Sequence, residues 1–326
     1  MSASRYSSLL IAGHLMLACA PSAWAQGFPA RPVVIVAPVP PGGGVDRLAR
    51  LIAAPLTETF KQPVLVDNRP GAGNVVGADY VAKAKPDGHT LVLANNSSHG
   101  VAQAVDPKIP YDTIRDFTPI SQIARAEHLV VTHPKVPAGT LKEFIDLARR
   151  KPGELNFGSA GSGTQTHLSV ELLKYQTRTN MVHVPYKGTG PAFTALAVGE
   201  IQLLFATTTA AMPLVKGGRL KALAITGLKR SESLPDVPTL SSHGIRGFET
   251  AAWYAIAGPA GMPKPVVTLL NQEIVKIAKS AEFRKQIAGD GAEPLGSTPE
   301  ELAEAIKAEL AKWTNLVAEA GLRLNN

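Results

Sequence analysis

The sequence predicts an α/β protein with two lobes, each built on a mixed, mostly parallel sheet flanked by helices. Strand-like and helix-like segments alternate along most of the chain, which is the pattern of parallel strands joined by crossover helices. The chain has 326 residues, of which 45% are hydrophobic, so it is long enough for two domains of ordinary size and a large core. The segment 1–25 does not follow this alternating pattern.

The first series of elements has the order β-α-β-α-β. Short runs of branched apolar residues bounded by glycine and proline predict strands, and apolar residues repeating every three or four positions predict helices. Pro55 lies inside the first helix and is expected to kink it. The predicted elements are a strand at Val33–Ala37, a helix at Asp46–Phe60, a strand at Val64–Asp67, a helix ending near Ala84 and a strand at Thr90–Ala94.

A second series follows, and the chain ends in helices. The C-terminal stretch has too few strands for an α/β domain of its own, so we expect it to pack on the first lobe. The predicted lobes are 26–124 with 250–326, and 125–249, joined near 120–127 and 247–251 by a hinge beside a cleft. The predicted strands are Leu129–Thr132, Leu155–Gly158, Met181–Val184, Ile201–Ala206, Leu220–Thr226 and Ala252–Ala257. The predicted helices are Leu141–Arg150, Gln165–Tyr175, Pro191–Val198, Pro265–Lys279, Ala281–Ala288 and Pro299–Ala320.

The N-terminal segment has the features of a cleavable secretory signal peptide. Arg5 precedes a short apolar run at Leu9–Ala20, and Ala23-Trp24-Ala25 has the small-x-small form of a cleavage site. The apolar run is too short to span a bilayer. Cys19 faintly resembles a lipidation site, but the later cleavage site fits better. We therefore expect a mature protein that begins at Gln26 and is exported to the periplasm.

Composition and residue spacing argue against several classes of protein. The net charge of +7 is spread along the chain without a basic stripe, which argues against nucleic-acid binding. The single cysteine lies in the predicted signal peptide, so we expect no disulfide, thiol nucleophile or cysteine metal site in the mature protein. His89, His99 and His133 lack the spacing of metal ligands. We expect neither a cofactor nor a metal.

The most informative segment joins the first predicted strand to the first predicted helix. Gly42, Gly43 and Gly44 follow the strand and lead directly into the helix. Glycines let a ligand approach backbone N–H groups closely, and the helix N-terminus adds the positive end of its dipole. The spacing differs from the G-x-G-x-x-G of dinucleotide-binding proteins, so a carboxylate is the expected occupant. Asp46 is interpreted as the cap of this helix.

Short motifs in a fixed order run through the whole mature chain. They are Arg31-Pro32, Pro38–Arg50, Gln62–Val64, Asn68–Gly73, Pro86–Gly88, Pro110–Asp112, Asp116–Ile120, Phe157–Ser159, His183–Gly188 and Leu234–Thr239. Together they resemble the Bug-type extracytoplasmic solute receptors of tripartite tricarboxylate transporters. The resemblance implies a two-lobed periplasmic binding protein, a type II-like hinged clamp. It implies a small organic carboxylate as ligand, aromatic acids and dicarboxylates included, and the membrane components of such a transporter as partners. We expect a monomer.

The resemblance also implies which residues hold the ligand. Two loops would face each other across the cleft, and neighbouring strand ends would add polar groups. Several relatives carry an acidic residue where this chain has Ala206, and the lack of that partner for a ligand amine argues against an amino acid. The first-lobe candidates are Pro41, Gly42, Gly43, Gly44, Asp46, Asn95, Ser97 and Ser98. The second-lobe candidates are Ser159, Ser162, Gly163, Thr164, Thr166, His167, Tyr186, Thr207 and Thr208.

An exported enzyme, either a hydrolase or a dehydrogenase, is the alternative to a receptor. His167 lies close in sequence to Ser159 and Ser162, which is one feature of a hydrolase. The chain has no G-x-S-x-G motif, and no acidic partner follows in a recognisable position. We therefore expect a binding protein without catalytic residues. His167 is interpreted as structural or ligand-orienting, and His183 as a residue at the edge of the core.

Overall fold

The computed structural model describes residues 27–227, 229–230, 234–245, 248, 250–288 and 291–321. The predicted signal peptide therefore lies outside the described residues. Within them, strands and helices alternate as the sequence predicts, and no helix in this part of the chain has both the length and the apolar character needed to cross a bilayer.

Strands and helices are numbered in chain order. The first group is β1 (Val33–Ala37), α1 (Gly44–Phe60), β2 (Val64–Asn68), α2 (Val75–Ala82), β3 (Thr90–Asn95), α3 (Ala102–Val105) and β4 (Phe117–Thr132). The second group is α4 (Leu141–Arg150), β5 (Asn156–Ser159), α5 (Gln165–Thr177), β6 (Val182–Pro185), α6 (Thr189–Val198), β7 (Leu203–Thr207), α7 (Thr208–Lys216) and β8 (Lys221–Ile225). The last group is β9 (Ala251–Pro259), α8 (Lys264–Ala278), α9 (Ala281–Ala288), β10 (Ala292–Pro294) and α10 (Pro299–Ala320).

One long strand, β4, connects two groups of strands. The strand order is β2-β1-β3-β9-β4-β7-β5-β6. Residues Phe117 to Glu127 of β4 pair with β9 and β10, and residues His128 to Thr132 pair with β7 and β8. The first sheet is defined as β1, β2, β3, β9, β10 and the part of β4 that pairs with β9 and β10. The second sheet is defined as β5, β6, β7, β8 and the end of β4.

The α/β class with a mixed sheet and flanking helices is confirmed. Parallel pairs join β1 to β2 and β3, and β5 to β6 and β7. The pairs made by β4 and β9 are antiparallel. The sequence analysis expected a strand only at Leu129–Thr132 and a connecting segment before it. The rest of β4 escaped notice because two register shifts against β9 interrupt the alternation of buried and exposed residues.

Helices cover both faces of each sheet. On one face of the first sheet, Ile35 of β1 shares a core with Ile52 and Leu56 of α1, and all three are fully buried. The second sheet has two cores of its own, one around Phe157 and the other around Leu204. Burying one such side chain contributes about 1.5–3 kcal/mol. Two sheets that are packed on both faces therefore carry the loops at the strand ends.

The bounds of several elements match the predicted ones. β1, α4, α9 and α10 begin and end where the sequence analysis expects. α7 and β10 were not predicted. Pro213 and two β-branched threonines obscure the helical pattern of α7, and β10 has three residues, too few for a pattern of its own. A π-helical turn at Ser97–Val101 was also missed.

Candidate functional site

Loops from both sheets meet beyond the carboxyl ends of their strands. After β3, Ser97 Oγ accepts a hydrogen bond from the backbone N–H of Gln165, the first residue of α5, at 3.2 Å. A Cβ added at Gly73, before α2, would lie 3.3 Å from the carbonyl oxygen of Ser162. These contacts join the first sheet to the loop that follows β5. The structure therefore brings the two predicted groups of site residues together.

The glycine loop after β1 lies in the same region. A Cβ added at Gly188 would lie 3.9 Å from Cγ of Pro40, and the N–H of Gly188 donates to the carbonyl oxygen of Ala160. Gly42 has a φ of +87°, which favours glycine, whereas Gly43 has a φ of −83°. α1 begins after Gly43 without a side-chain cap. The N–H groups of its first turn thus have neither intrahelical nor side-chain partners.

Asp46 is not the helix cap that the sequence analysis expected. It is the third residue of α1, and its buried carboxylate accepts hydrogen bonds from the N–H of Gly42, from Arg50 and from Asn68, each at 2.9 Å. Burial by itself raises the pKa of Asp46, but these hydrogen bonds outweigh it and hold the pKa below its ordinary value. Asp46 therefore stabilises the glycine loop, and the N–H of Gly42 is already hydrogen-bonded to its carboxylate.

The end of β3 contributes a turn held together by Asn95. Its Oδ1 accepts hydrogen bonds from the N–H groups of Ser97 and Ser98 and from the Asn74 side chain, at 2.9, 3.2 and 3.1 Å. Ser98 is fully buried and its hydroxyl lies 2.8 Å from Nδ1 of His99, so Ser98 is part of the core. Asn95 Nδ2 is buried and has no hydrogen-bond partner among the described residues.

Most hydroxyl groups of the loop after β5 are used within that loop. Thr164 Oγ1 donates to the carbonyl oxygen of Gly161 at 2.7 Å, so Thr166 is the donor in the 3.1 Å contact between the two threonines. Thr166 Oγ1 also accepts from the N–H of Ala160 at 3.0 Å. These side chains shape the loop and are already hydrogen-bonded. Ser162, by contrast, is exposed.

Ser159 was predicted to donate a hydrogen bond to the ligand, but the structure gives it another task. It is fully buried, and its hydroxyl lies 2.7 Å from Nε2 of His183. The same oxygen accepts from the N–H of Gly161 at 3.1 Å. Ser159 therefore holds the loop against β6 instead of facing a ligand.

Two histidines stack beside this loop. The rings of His167 and His183 lie 3.8 Å apart with 14° between their planes, and Phe157 stacks on His183 at 4.9 Å. Burial, the neighbouring His183 and Lys174 together lower the pKa of His167 to about 3, and burial and Lys174 lower that of His183 to about 4. Both rings are neutral at pH 7. The N–H of Gly163 donates to Nδ1 of His167, which places the ring proton on Nε2.

Of the remaining predicted residues, two are hydrogen-bonded within the protein and one is half-buried. Thr208 is buried and donates to the carbonyl oxygen of Gly291 at 2.9 Å, a contact between α7 and the segment before β10. The Thr207 side chain is hydrogen-bonded to Tyr254. Tyr186 is half-buried, and burial followed by the charge of Glu200 raises the pKa of its phenol.

The polar groups left at the meeting point are neutral hydrogen-bond donors. They are the N–H groups of the first turn of α1 and the side chains of Asn95, Ser97, Ser162 and Tyr186. Among the described residues, no three His, Cys, Asp or Glu side chains are grouped so that they could hold a metal. Such a set of donors suits an anion, which needs hydrogen bonds from several directions.

Sequence reasoning missed three residues at this place. Gln165 and Asn74 make hydrogen bonds between loops, and Gly73 has a φ of +64° where it lies against Ser162. The turn that holds Gly73 and Asn74 was noted in the sequence only as a turn. Its part in the site depends on contacts with residues about 90 positions away, and no local pattern encodes them.

Comparison with known proteins identifies relatives across nearly the whole chain. The family model for the receptor of the tripartite tricarboxylate transporter family, TctC, matches residues 48–322. Protein BugT of Bordetella pertussis is 35% identical over 301 residues, which cover 92% of each chain. A protein from the tcbD-tcbE intergenic region of Pseudomonas sp. strain P51 is 36% identical, over 92% of this chain and 89% of that protein.

Solved structures with the same fold include two with a bound carboxylate. Rpa4515 of R. palustris with adipate has a TM-score of 0.87 and 36% identity, over 91% of this chain and 99% of that chain. MatC of Rhodopseudomonas palustris with bound malate has a TM-score of 0.85 and 33% identity, over 89% of this chain and all of that chain. The resemblance noted in the sequence is confirmed: the chain belongs to the TctC, or Bug, family of periplasmic solute-binding receptors.

Proposed function

We propose that this protein captures a small organic dicarboxylate between the glycine loop and the loop after β5. It delivers that ligand to the membrane components of a tripartite tricarboxylate-type transporter. The observation that carries the proposal is that α1 and α5 both begin at these two loops, one from each sheet, without a side-chain cap. Each helix N-terminus carries roughly half a positive charge. The first N–H of α5, that of Gln165, already donates to Ser97 Oγ, so at α5 the ligand meets the N–H groups that follow it.

This arrangement accounts for anion binding without a basic side chain. Arg47 and Arg50 are the two cations nearest in sequence to the glycine loop. Arg50 is paired with Asp46. One carboxylate of the ligand accepts hydrogen bonds from the first turn of α1, and the other faces Ser162 and the start of α5. Asn95 Nδ2, a buried donor without a partner among the described residues, supplies a further hydrogen bond. Tyr186 and Ser97 line the space between.

The choice of a dicarboxylate rests on two related proteins. Rpa4515 is described with adipate and MatC with malate, and both ligands carry two carboxylates. The two helix N-termini of this chain match that chemistry because each can face one carboxylate with the positive end of its dipole. Ala206, in place of the acidic residue of several relatives, leaves a ligand amine without a partner.

The lobes are part of the proposal. We assign 26–124 with 250–326 to the first lobe and 125–249 to the second, with β4 and the segment that precedes β9 as the two connections. Closure of the lobes on the ligand is then a bending of these two connections. The precursor is exported by cleavage after Ala25, and the mature protein works in the periplasm as a monomer.

We assign no catalytic role to the site. Among the described residues, Ser159 and His183, 2.7 Å apart, are the pair that most resembles a nucleophile and its base. Ser159 is fully buried, and its hydroxyl is already hydrogen-bonded to both the N–H and the carbonyl oxygen of Gly161. A ligand recovered from the protein should therefore be chemically unchanged by mass spectrometry. Conversion to a product would overturn the receptor assignment.

Titration calorimetry on the purified exported protein tests the proposal. Adipate and malate are the ligands, and hexanoate is the matched control because it has the length of adipate and one carboxylate fewer. Loss of a charge-assisted hydrogen bond costs about 1.5–3 kcal/mol, so hexanoate should bind about ten- to a hundredfold more weakly than adipate. Equal affinity for hexanoate, or no binding of either dicarboxylate, would contradict the proposal.

A further inference from the structure

Gln165, the first residue of α5, joins elements of both sheets. Its backbone N–H donates to Ser97 Oγ at 3.2 Å, and its side-chain Nε2 donates to the carbonyl oxygen of Ala251 at 3.0 Å. Both acceptors belong to first-sheet elements, the turn after β3 and the first residue of β9, whereas α5 follows β5 of the second sheet. Gln165 is 4% exposed, so both hydrogen bonds are shielded from water.

A second side chain holds the same carbonyl. Asn96 Nδ2 donates to Ala251 at 3.1 Å and to Oε1 of Glu309 at 2.8 Å, and Asn96 Oδ1 accepts from the N–H of Trp253 at 2.7 Å. Glu309 lies on α10, and its carboxylate is mostly buried. The start of β9 is therefore fixed to the turn after β3 independently of Gln165, and it offers Gln165 an acceptor in a set position.

The same region is tightly packed. A Cβ added at Gly100, in the turn after β3, would lie 2.7 Å from Cγ of Glu309, so only glycine allows α10 to approach so closely. Trp313 of α10 is fully buried in an apolar cluster with Leu168 of α5, and its Nε1 donates to Glu309 at 2.6 Å. α5 is thus attached to first-sheet elements beside the two hydrogen bonds of Gln165.

We propose that Gln165 is the latch that holds the two lobes closed on the ligand. The inference rests on the proposed function, because it takes closure of the lobes to be the bound state. Opening the lobes separates α5 from Ser97 and Ala251 and breaks both hydrogen bonds. The backbone N–H and the side-chain amide of Gln165 both donate to protein acceptors, so the residue acts on ligand retention as a positioning residue and not as a ligand contact.

The replacement Gln165→Leu removes the side-chain bond with little change in volume. Ala251 keeps its hydrogen bond from Asn96, so no buried acceptor loses its last partner. Loss of one neutral hydrogen bond shifts an equilibrium by about two- to tenfold. The ratio of closed to open protein falls by that factor, and the apparent affinity falls by up to the same factor. The matched control is Gln176→Leu, which makes the same replacement at an exposed position of α5.

Stopped-flow kinetics with adipate and malate separates a latch from a merely structural residue. We expect the dissociation rate of Gln165→Leu to rise about two- to tenfold, with an association rate equal to that of Gln176→Leu. A dissociation rate equal to that of the control would overturn the proposal. So would a loss of affinity that appears only in the association rate.

Hydrogen–deuterium exchange on the ligand-free protein tests the latch without a ligand. Segments 165–168 and 251–254 should exchange faster in Gln165→Leu than in Gln176→Leu, because the replacement removes the hydrogen bond from Gln165 Nε2 to Ala251 that ties these segments together. Equal exchange in the two variants would overturn the latch even where dicarboxylates bind. If neither adipate nor malate binds the wild-type protein, the proposed function fails, and the exchange experiment still decides the latch.

Discussion

Two pairs of helices begin in opposite ways. α4 and α10 each start with a full capping box, in which Thr140 or Thr298 accepts the N–H of Glu143 or Glu301 and the glutamate accepts the N–H of the threonine. α1 and α5, which start at the facing loops, have no side-chain cap. A good cap contributes about 1 kcal/mol, so α1 and α5 forgo stability that α4 and α10 obtain.

The difference shows at which helices a capping side chain accepts the first N–H groups and at which it does not. At α4 and α10 the caps satisfy the first N–H groups of the helix from within the protein. At α1 those groups remain available, and Asp46, the one carboxylate in the first turn, is turned onto Gly42 and Arg50. At α5 the loop hydroxyls bond to one another and to the backbone of the preceding residues. The comparison predicts that the starts of α1 and α5 serve ligand binding and those of α4 and α10 serve stability.

The largest effect is expected at Gly43. The replacement Gly43→Val should abolish dicarboxylate binding, more than about a hundredfold by calorimetry, because a branched side chain would cover the N–H groups of the first turn of α1. The fold should survive, since the φ of Gly43 is −83° and a Cβ there would meet nothing closer than 4.0 Å.

Gly42→Ala is the control for this prediction. Its φ of +87° makes a side chain strained, so it should lower the free energy of unfolding by about 1–2 kcal/mol. Normal binding by a folded Gly43→Val protein would break the comparison, because the N–H groups of α1 would then have no part in the site.

Acid is expected to destabilise the protein through its buried histidines. Burial lowers the pKa of His99 to about 3, and burial together with Lys312 lowers that of His128 to about 4, from an ordinary value of 6.5. The unfolded chain takes up protons below pH 6.5 while these rings stay neutral, so stability is lost as the pH falls from 6.5 towards 4. Each ring contributes about 1.4 kcal/mol per pH unit in that window.

Urea denaturation at pH 7.5, 6.0 and 5.0 measures this loss. The stacked pair His167 and His183 should add to it, because their pKa values are lowered in the same direction. The replacement His183→Gln should flatten the pH dependence between 6.5 and 5. A free energy of unfolding that stays constant over this range would contradict the assignment of these rings as neutral.

Replacing each of two serines in the loop after β5 should affect ligand binding in one case and stability in the other. Ser162→Ala should weaken dicarboxylate binding about ten- to a hundredfold with little change in the melting temperature, because an exposed donor to a charged group is lost. Ser159→Ala should lower the melting temperature, because His183 and Gly161 lose a buried partner. If Ser159→Ala weakens binding more than Ser162→Ala at equal stability, the two roles have been exchanged.

The smallest effect is expected at the capping boxes. Thr298→Ala and Thr140→Ala should each lower the free energy of unfolding by about 1 kcal/mol and leave dicarboxylate affinity unchanged. Thermal unfolding and calorimetry on the same samples measure both quantities. A change in affinity in either variant would remove the distinction between the two pairs of helices.

Local patterns in the sequence predicted much of the fold. β1 and α4 have strong periodicity and clear boundaries, so their bounds agree with the prediction. The glycine loop was identified from the local sequence alone, because three consecutive glycines between a strand and a helix have few structural uses. The family followed from many short motifs in order, and the family model and the relatives confirm it.

Only the tertiary structure decided what individual side chains do. The sequence assigned Asp46 to capping and Ser159 to the ligand, but their partners Asn68 and His183 lie 22 and 24 positions away. The role of Gln165 depends on Ala251, 86 positions along the chain. Local propensity and hydrophobic period are properties of neighbouring residues, whereas hydrogen-bond partners are chosen by the packing of distant strands. The sequence by itself therefore determined the elements and the family, and the tertiary structure determined which polar groups remain free for a ligand.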